Sequence, residues 1–268
     1  LNKIFRNLTA AAAILSASLS FAATTTSNVF TPAQKSAIDA EIHRYLVQNP
    51  QVLIEAMQAF QAQQQQQQVD QAIPKIKANA AQMFNNPVSP VAGNSKGNAV
   101  LVEFYDFRCP HCKDATTSVE NLIKANPNLR VIYKDFPIFG GASLTAAKAS
   151  LAAYKLDPSK YGAFHHALMH FAGELTDKDV YNLAKQAGYN VSDLKTVMGQ
   201  SWVDQAIKDN IALGTEVGIN ATPMFVIAST SSGNLNNSTL NNNNIAFVPG
   251  AYPQKVLQNK INSVQKAS

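Results

Sequence analysis

Residues 103–112 read EFYDFRCPHC, and this stretch decides the fold. It begins inside an apolar run, Val100–Phe107, that suits a buried β-strand. It ends on Cys109-Pro110-His111-Cys112, which suits the start of a helix continuing to about Ala125. Cys109 takes the helix N-cap and Pro110 the first helical position, where its missing N–H costs nothing. The chain has two cysteines, and both are here. Two cysteines this close cannot staple distant parts of a fold, and a disulfide closing so short a loop adds little stability. A structural zinc site needs two further ligands. The nearest histidines in a cluster, His165, His166 and His170, are far along the chain and have no cysteine beside them. A c-type haem requires histidine directly after the second cysteine, where Lys113 stands instead. Redox chemistry between the two thiols is left.

The placement supplies a mechanism. Unpaired N–H groups and the positive end of the helix dipole favour an anion at the N-cap, so they favour a thiolate at Cys109. A thiol whose pKa falls by about four favours the charged form by about 5–6 kcal/mol. His111 adds a donor or a positive charge beside the sulfur. A stabilised thiolate is a stabilised reduced state, which makes the disulfide an oxidant. Cys112, one turn into the helix, should be shielded and act as the resolving thiol. Glu103 lies in the apolar strand, where a carboxylate must be paired or protonated. Lys134, on a second strand over Leu129–Phe136, is its expected partner, and the two could shuttle the proton of Cys112. Thr222-Pro223 precedes a third strand, and its proline suits either a cis bond or an ordinary turn.

Further from the cysteines, residues 143–217 carry apolar residues and alanines at helical spacing, with breaks near Pro158, Gly173, Gly188 and Gly199. Strands follow at Met224–Ala228 and Ile245–Val248, separated by an asparagine-rich loop over 234–244 that reads as a mobile surface excursion. A helix from about Pro253 closes the chain. Strand, helix, strand, helical block, hairpin and helix describe an α/β sheet with an inserted helical domain. Within the block, His166 and His170 stand at i, i+4, but the chain shows no HExxH glutamate and no third ligand nearby in sequence, so a structural role is expected. No metal and no cofactor are expected.

Toward the N-terminus, residues 85–98 are rich in Pro, Gly and Asn and read as a linker. Before it, Thr31 and Pro32 suit a helix start, and Ile38, Ile42, Tyr45 and Leu46 share one helical face. Asn49-Pro50 breaks that helix. A second one carries Leu53, Met57 and Phe60 on one face and runs into Gln63–Gln68, expected as a solvated helical arm. A helical region over 23–84 with apolar stripes and no staple of its own must pack on something, and pairing with further copies of the chain is expected, a homodimer first. Residues 1–22 read as an export signal: Lys3 and Arg6 precede an apolar run from Leu8 to Phe21, and Ser20 and Ala22 flank a cut after Ala22. Taking Lys3 and Arg6 from the 22 basic residues leaves 20 against 17 acidic ones, a scattered surplus of 3 that does not suggest nucleic acid as a partner. The remainder, including the domain over 99–268, is then expected to work outside the cytoplasm, in the periplasm or beside the outer membrane.

On EFYDFRCPHC (103–112), the helical insertion, INATPMFVI (219–227) and FVPGAYP (247–253), the sequence resembles the DsbA family of thioredoxin-fold proteins over about 98–266. The resemblance implies a thioredoxin fold, Cys109 as the attacking and Cys112 as the resolving cysteine, and Pro223 as a cis-proline facing them. It also implies Glu103 as a buried acid and Lys134 as its lysine. The very acidic thiol expected of Cys109 is likewise carried by the resemblance. Its implied partners are exported proteins with free thiols or wrong disulfides, and a membrane redox partner. The helical extension is similar to that of dimeric isomerases, the trimeric ScsC type and the Com type, and Thr222 is similar to the threonine of the isomerases. Formation and reshuffling of disulfides is the activity implied. A dedicated oxidase, or a non-catalytic surface protein that keeps the fold, are the other readings.

Overall fold

The computed structural model describes residues 30–268. The export signal expected over 1–22 lies outside the described residues. The chain divides into two compact units, one ending at Gln58 and one running from Ala59 to Ser268.

In the first unit, helix α1 (Pro32–Gln48) starts from a reciprocal cap. The Thr31 hydroxyl accepts from the Gln34 N–H at 3.3 Å, and the Gln34 side chain accepts from the Thr31 N–H at 2.8 Å. Asn49 ends the helix, its N–H donating to the Tyr45 carbonyl at 2.8 Å. Helix α2 (Gln51–Ala78) begins two residues later. No residue of α1 is buried. Ile38, Ile42 and Tyr45, like Leu53, Ile54 and Met57 at the start of α2, lie open.

The second unit is built on a five-stranded sheet: β1 (Val91–Gly93), β2 (Ala99–Tyr105), β3 (Leu129–Asp135), β4 (Met224–Ser229) and β5 (Ile245–Pro249), in the order β1-β3-β2-β4-β5. β2 and β3 are parallel and the other neighbours antiparallel. The short helix α3 (Ala80–Phe84) precedes the sheet, and α4 (Pro110–Ala125) joins β2 to β3. Between β3 and β4 come α5 (Ala142–Leu156), α6 (Pro158–Met169), α7 (Asp177–Gln186), α8 (Val191–Met198) and α9 (Ser201–Val217), close to the insertion expected over 143–217. Helix α10 (Gln254–Lys266) closes the chain.

Every residue of β2 is buried, so the strand reads as a continuous apolar run rather than an alternation. Its side chains still divide by parity. Leu101 and Tyr105 join a core with Val119 and Leu122 of α4, Phe164 of α6 and Ile261 of α10. Val100, Val102 and Phe104 face the other layer, with Leu213 and Val217 of α9.

That second layer corrects the expected domain boundaries. Ala72, Ile73, Ile76, Ala80, Met83 and Phe84 are buried in it, so the end of α2 and one face of α3 belong to the sheet's own core. The stretch 85–98 is not a linker either. Val91 to Gly93 pair with Ile132 to Arg130 of β3, and the Pro90 carbonyl accepts from the Tyr133 N–H at 2.9 Å. A three-residue strand among Pro, Gly and Asn has no pattern of its own; the open edge of β3 supplies it. Gly93 stands at φ 73, and a Cβ there would lie 2.5 Å from the Leu129 carbonyl oxygen, so the close approach needs glycine. The asparagine-rich loop also departs from expectation. Leu235 and Leu240 are buried, and Asn236 and Asn244 close hydrogen-bonded turns around them.

Candidate active site

Cys109 sits at the N-cap of α4 with extended backbone angles, followed by Pro110 at the first helical position. Its own N–H donates to the Asp106 carbonyl at 3.0 Å, and its carbonyl accepts from the N–H groups of Cys112 and Lys113, each at 3.1 Å. The turn before it is held by Asp106, a buried residue the sequence reading passed over. One carboxylate oxygen of Asp106 accepts from the Arg108 N–H and the Ser143 hydroxyl, each at 2.7 Å; the other accepts from the Phe139 N–H at 3.2 Å. The signal was available: an Asp two residues before Arg108 suits an Asx turn.

Both cysteines are reduced and buried. They meet opposite environments. The Cys109 thiol is lowered from its ordinary 9.0 to about 5, chiefly by its hydrogen bond with Cys112, against the cost of burial. Smaller help comes from Thr222 and from the backbone N–H groups of Cys112 and His111. Cys112 is pushed far up, by burial first, then by its bond to Cys109 and by the charge of Glu103. The Cys109 thiol also donates to the Thr222 carbonyl at 3.3 Å, so the turn leading into β4 lies against the sulfur. The Thr222–Pro223 bond is cis, which resolves the choice that spacing left open. The Thr222 hydroxyl is buried and unpartnered while Cys109 is a thiol, and is left free to donate to the sulfur once it is a thiolate.

Glu103 stands level with Tyr133 on one side and Phe225 on the other, facing the core that holds the cysteines. It is buried, and one of its carboxylate oxygens has no partner. Burial, followed by the charge of Cys109, raises its pKa from 4.5 to about 8.

Lys134 does not join it. Lys134 is level with Phe104, one residue on, so its side chain enters the opposite layer of the sheet. There its ammonium donates to the Gln82 carbonyl at 2.7 Å and to the Ser89 hydroxyl at 2.9 Å, pinning α3 and the approach to β1. The expected Glu103–Lys134 pair is therefore replaced by an unpaired acid on one face and a buried lysine on the other. Burial lowers Lys134 to about 8.

His111 reaches the sulfur through its backbone N–H, while its imidazole is exposed, 3.9 Å from Asp114. Around the cysteines, Lys113 donates to the Phe171 carbonyl at 2.8 Å, and Arg108 pairs with Glu174 at 2.9 Å. Deeper in, His165 stacks on Tyr133 with ring centroids 4.1 Å apart, and burial pushes it down to about 3. It is a neutral core histidine.

The arrangement has solved counterparts. The chain is similar to a thioredoxin-like oxidoreductase from Silicibacter pomeroyi, at 35% identity and TM-score 0.61 over 70% of this chain and 98% of that one. It is similar to the thiol-disulfide exchange protein alpha-DsbA2 from Wolbachia pipientis, at 29% identity and TM-score 0.62 over 74% and 96%. Among curated relatives it matches the Na+/H+ antiporter NhaA 1 of Salinispora arenicola at 22% identity over 145 residues, 53% of this chain. That match covers 22% of the antiporter, so the chain spans less than a quarter of that relative's length. Residues 34–67 match the N-terminal domain of the copper resistance protein ScsC. Over residues 100–262, more than half of its length, the sequence matches the DSBA-like thioredoxin domain, and the chain belongs to that family.

Proposed function

We propose that the chain is a thiol–disulfide oxidoreductase that forms, and also reshuffles, disulfides in exported proteins. The observation that carries this reading is the opposed state of two adjacent sulfurs: Cys109 acidic at about 5 and Cys112 held protonated. In the oxidised form, a substrate thiolate attacks the Cys109 sulfur. A mixed disulfide forms, and Cys112 departs, taking up a proton. A second substrate thiol then attacks the substrate sulfur of that mixed disulfide. The product disulfide leaves with Cys109 as a stable thiolate, and two electrons have passed from substrate to enzyme. Glu103, buried and raised to about 8, has the right affinity to give Cys112 that proton and to take it back on re-oxidation. The Thr222 carbonyl and cis-Pro223 lie where an extended substrate would pair beside the sulfur.

In the reduced form the same Cys109 thiolate attacks wrong disulfides, which is isomerisation. The open apolar stripes of α1 and of the start of α2 support self-association, a homodimer first, and the ScsC-type match over 34–67 lies on this region. The periplasm is the compartment proposed, since the chemistry requires oxidising surroundings. A membrane redox partner would restore the disulfide. Trapping tests the reading: a Cys112→Ser variant, whose Cys109 thiolate can attack a disulfide but has no resolving thiol, should accumulate mixed disulfides through Cys109 when mixed with a scrambled, disulfide-bonded secreted protein. No trapped adduct, or adducts that survive Cys109→Ser, would remove the proposal.

A further inference from the structure

Helix α6 ends with His166 near its last turn and His170 at its C-cap, so both imidazoles project from one end of the helix, their ring centroids 4.1 Å apart. The side chain they face belongs to α4. One oxygen of Glu120 lies 2.7 Å from His166 Nδ1 and 3.4 Å from His170 Nε2. The three donor atoms lie within 4.8 Å of one another. The sequence offered only a pair of histidines; the fold supplies the third ligand, 46 residues upstream of His166.

We infer that Glu120, His166 and His170 form a binding site for one divalent transition-metal ion, of the Zn2+ or Cu2+ class, separate from the cysteine pair. Two imidazoles and a carboxylate are the ligand types these ions take, and a water can complete a tetrahedron on the open side. Ligand atoms about 2.1 Å from a tetrahedral ion stand about 3.4 Å apart. The Glu120–His170 separation already equals that, and the Glu120–His166 contact, at 2.7 Å, needs to open by about 0.7 Å. All three side chains are partly exposed, with Glu120 the least so, which leaves a path for the ion. His165, the neighbour of His166, takes no part because it is buried among Tyr105, Phe107 and Tyr133. Glu120 lies on the same helix that Cys109 caps, but about 16 Å along its axis at 1.5 Å per residue. The ion would therefore clamp the inserted helices to the catalytic helix without touching the sulfurs.

Thiolates would compete for metal, so the test uses the full chain with Cys109 and Cys112 joined as a disulfide. Zn2+ titration by calorimetry should give one ion per chain, and Co2+ should produce the visible absorption of a tetrahedral nitrogen/oxygen site. Glu120→Gln and His170→Ala should each weaken Zn2+ binding by about 100-fold, at least what loss of an outer partner costs, and insulin reduction should stay unchanged. If the oxidised protein binds no Zn2+, the cluster is an ion pair between α4 and α6 and the inference fails. Binding that survives both substitutions overturns it equally.

Discussion

Replacing Glu103 by glutamine should stabilise the protein near neutral pH, a rare result for a fully buried polar site. The carboxyl sits in an apolar layer with one oxygen unpartnered and its expected lysine on the far side of the sheet. Its pKa is about 8 in the folded chain, against an ordinary 4.5. Between those values the folded protein holds a proton that the unfolded chain has released. Stability contributed by the protonated acid is therefore complete below pH 4.5 and lost as pH rises through 8. At about 1.4 kcal/mol per pH unit the whole window is worth about 5 kcal/mol, of which about 3 kcal/mol has gone by pH 7. Glutamine fills the same space without titrating. Urea unfolding of reduced wild type and Glu103→Gln at several pH values from 4.5 to 8 should give curves that nearly coincide at the acid end. They should part by about 3 kcal/mol at pH 7 in favour of the variant. The same variant should exchange disulfides more slowly, because Cys112 loses its proton relay. A constant stability difference across the pH range, or a variant weaker than wild type at pH 7, would refute the account of a desolvated, unpaired acid.

Iodoacetamide should modify Cys109 with a midpoint near pH 5 and leave Cys112 unmodified through pH 8, read by mass spectrometry of peptides; equal labelling would contradict the opposed environments. Thr222→Val removes a hydroxyl that is buried beside the sulfur, so the Cys109 midpoint should rise by about half to one pH unit with little change in folding stability. A chain that starts at Ala59 should fold, reduce insulin and sediment as a monomer by light scattering, having lost isomerase activity on scrambled ribonuclease. A chain that starts at residue 86 also lacks Ile76, Met83 and Phe84 from the core, at about 3 kcal/mol each, and should not fold stably.

The chemistry was legible because it is local. Cys109 as N-cap, Pro110 after it and Cys112 one turn in are fixed by four consecutive residues and by helix geometry. The helical insertion was legible by periodicity over a long window. What escaped depended on register between distant segments. Glu103 and Lys134 sit on neighbouring strands, but a shift of one residue in their alignment decides whether they share a face, and only the pairing of Glu103 with Tyr133 reveals it. Strand β1 escaped because Val91–Gly93 is too short to show an alternation. The last turns of α2 looked like part of an independent arm because Gln63–Gln68 precede them, although Ile73 and Ile76 are core residues. Glu120 was invisible as a ligand for the same reason: α4 and α6 meet only in space.

The sheet order also dictates when the site can exist. β2 is the central strand, yet its two neighbours come late: β3 begins at Leu129, and β4 only at Met224, after five intervening helices. A chain that is threaded through a membrane from its N-terminus presents Val100, Leu101, Val102 and Phe104 without their antiparallel partners until some 125 residues more have emerged. Thr222 cannot reach Cys109 before then either. The nascent protein thus passes through a stage with two ordinary, unshielded thiols and a bare apolar edge. During that stage its thiols are chemically those of an unfolded protein, the class of partner proposed for the finished site.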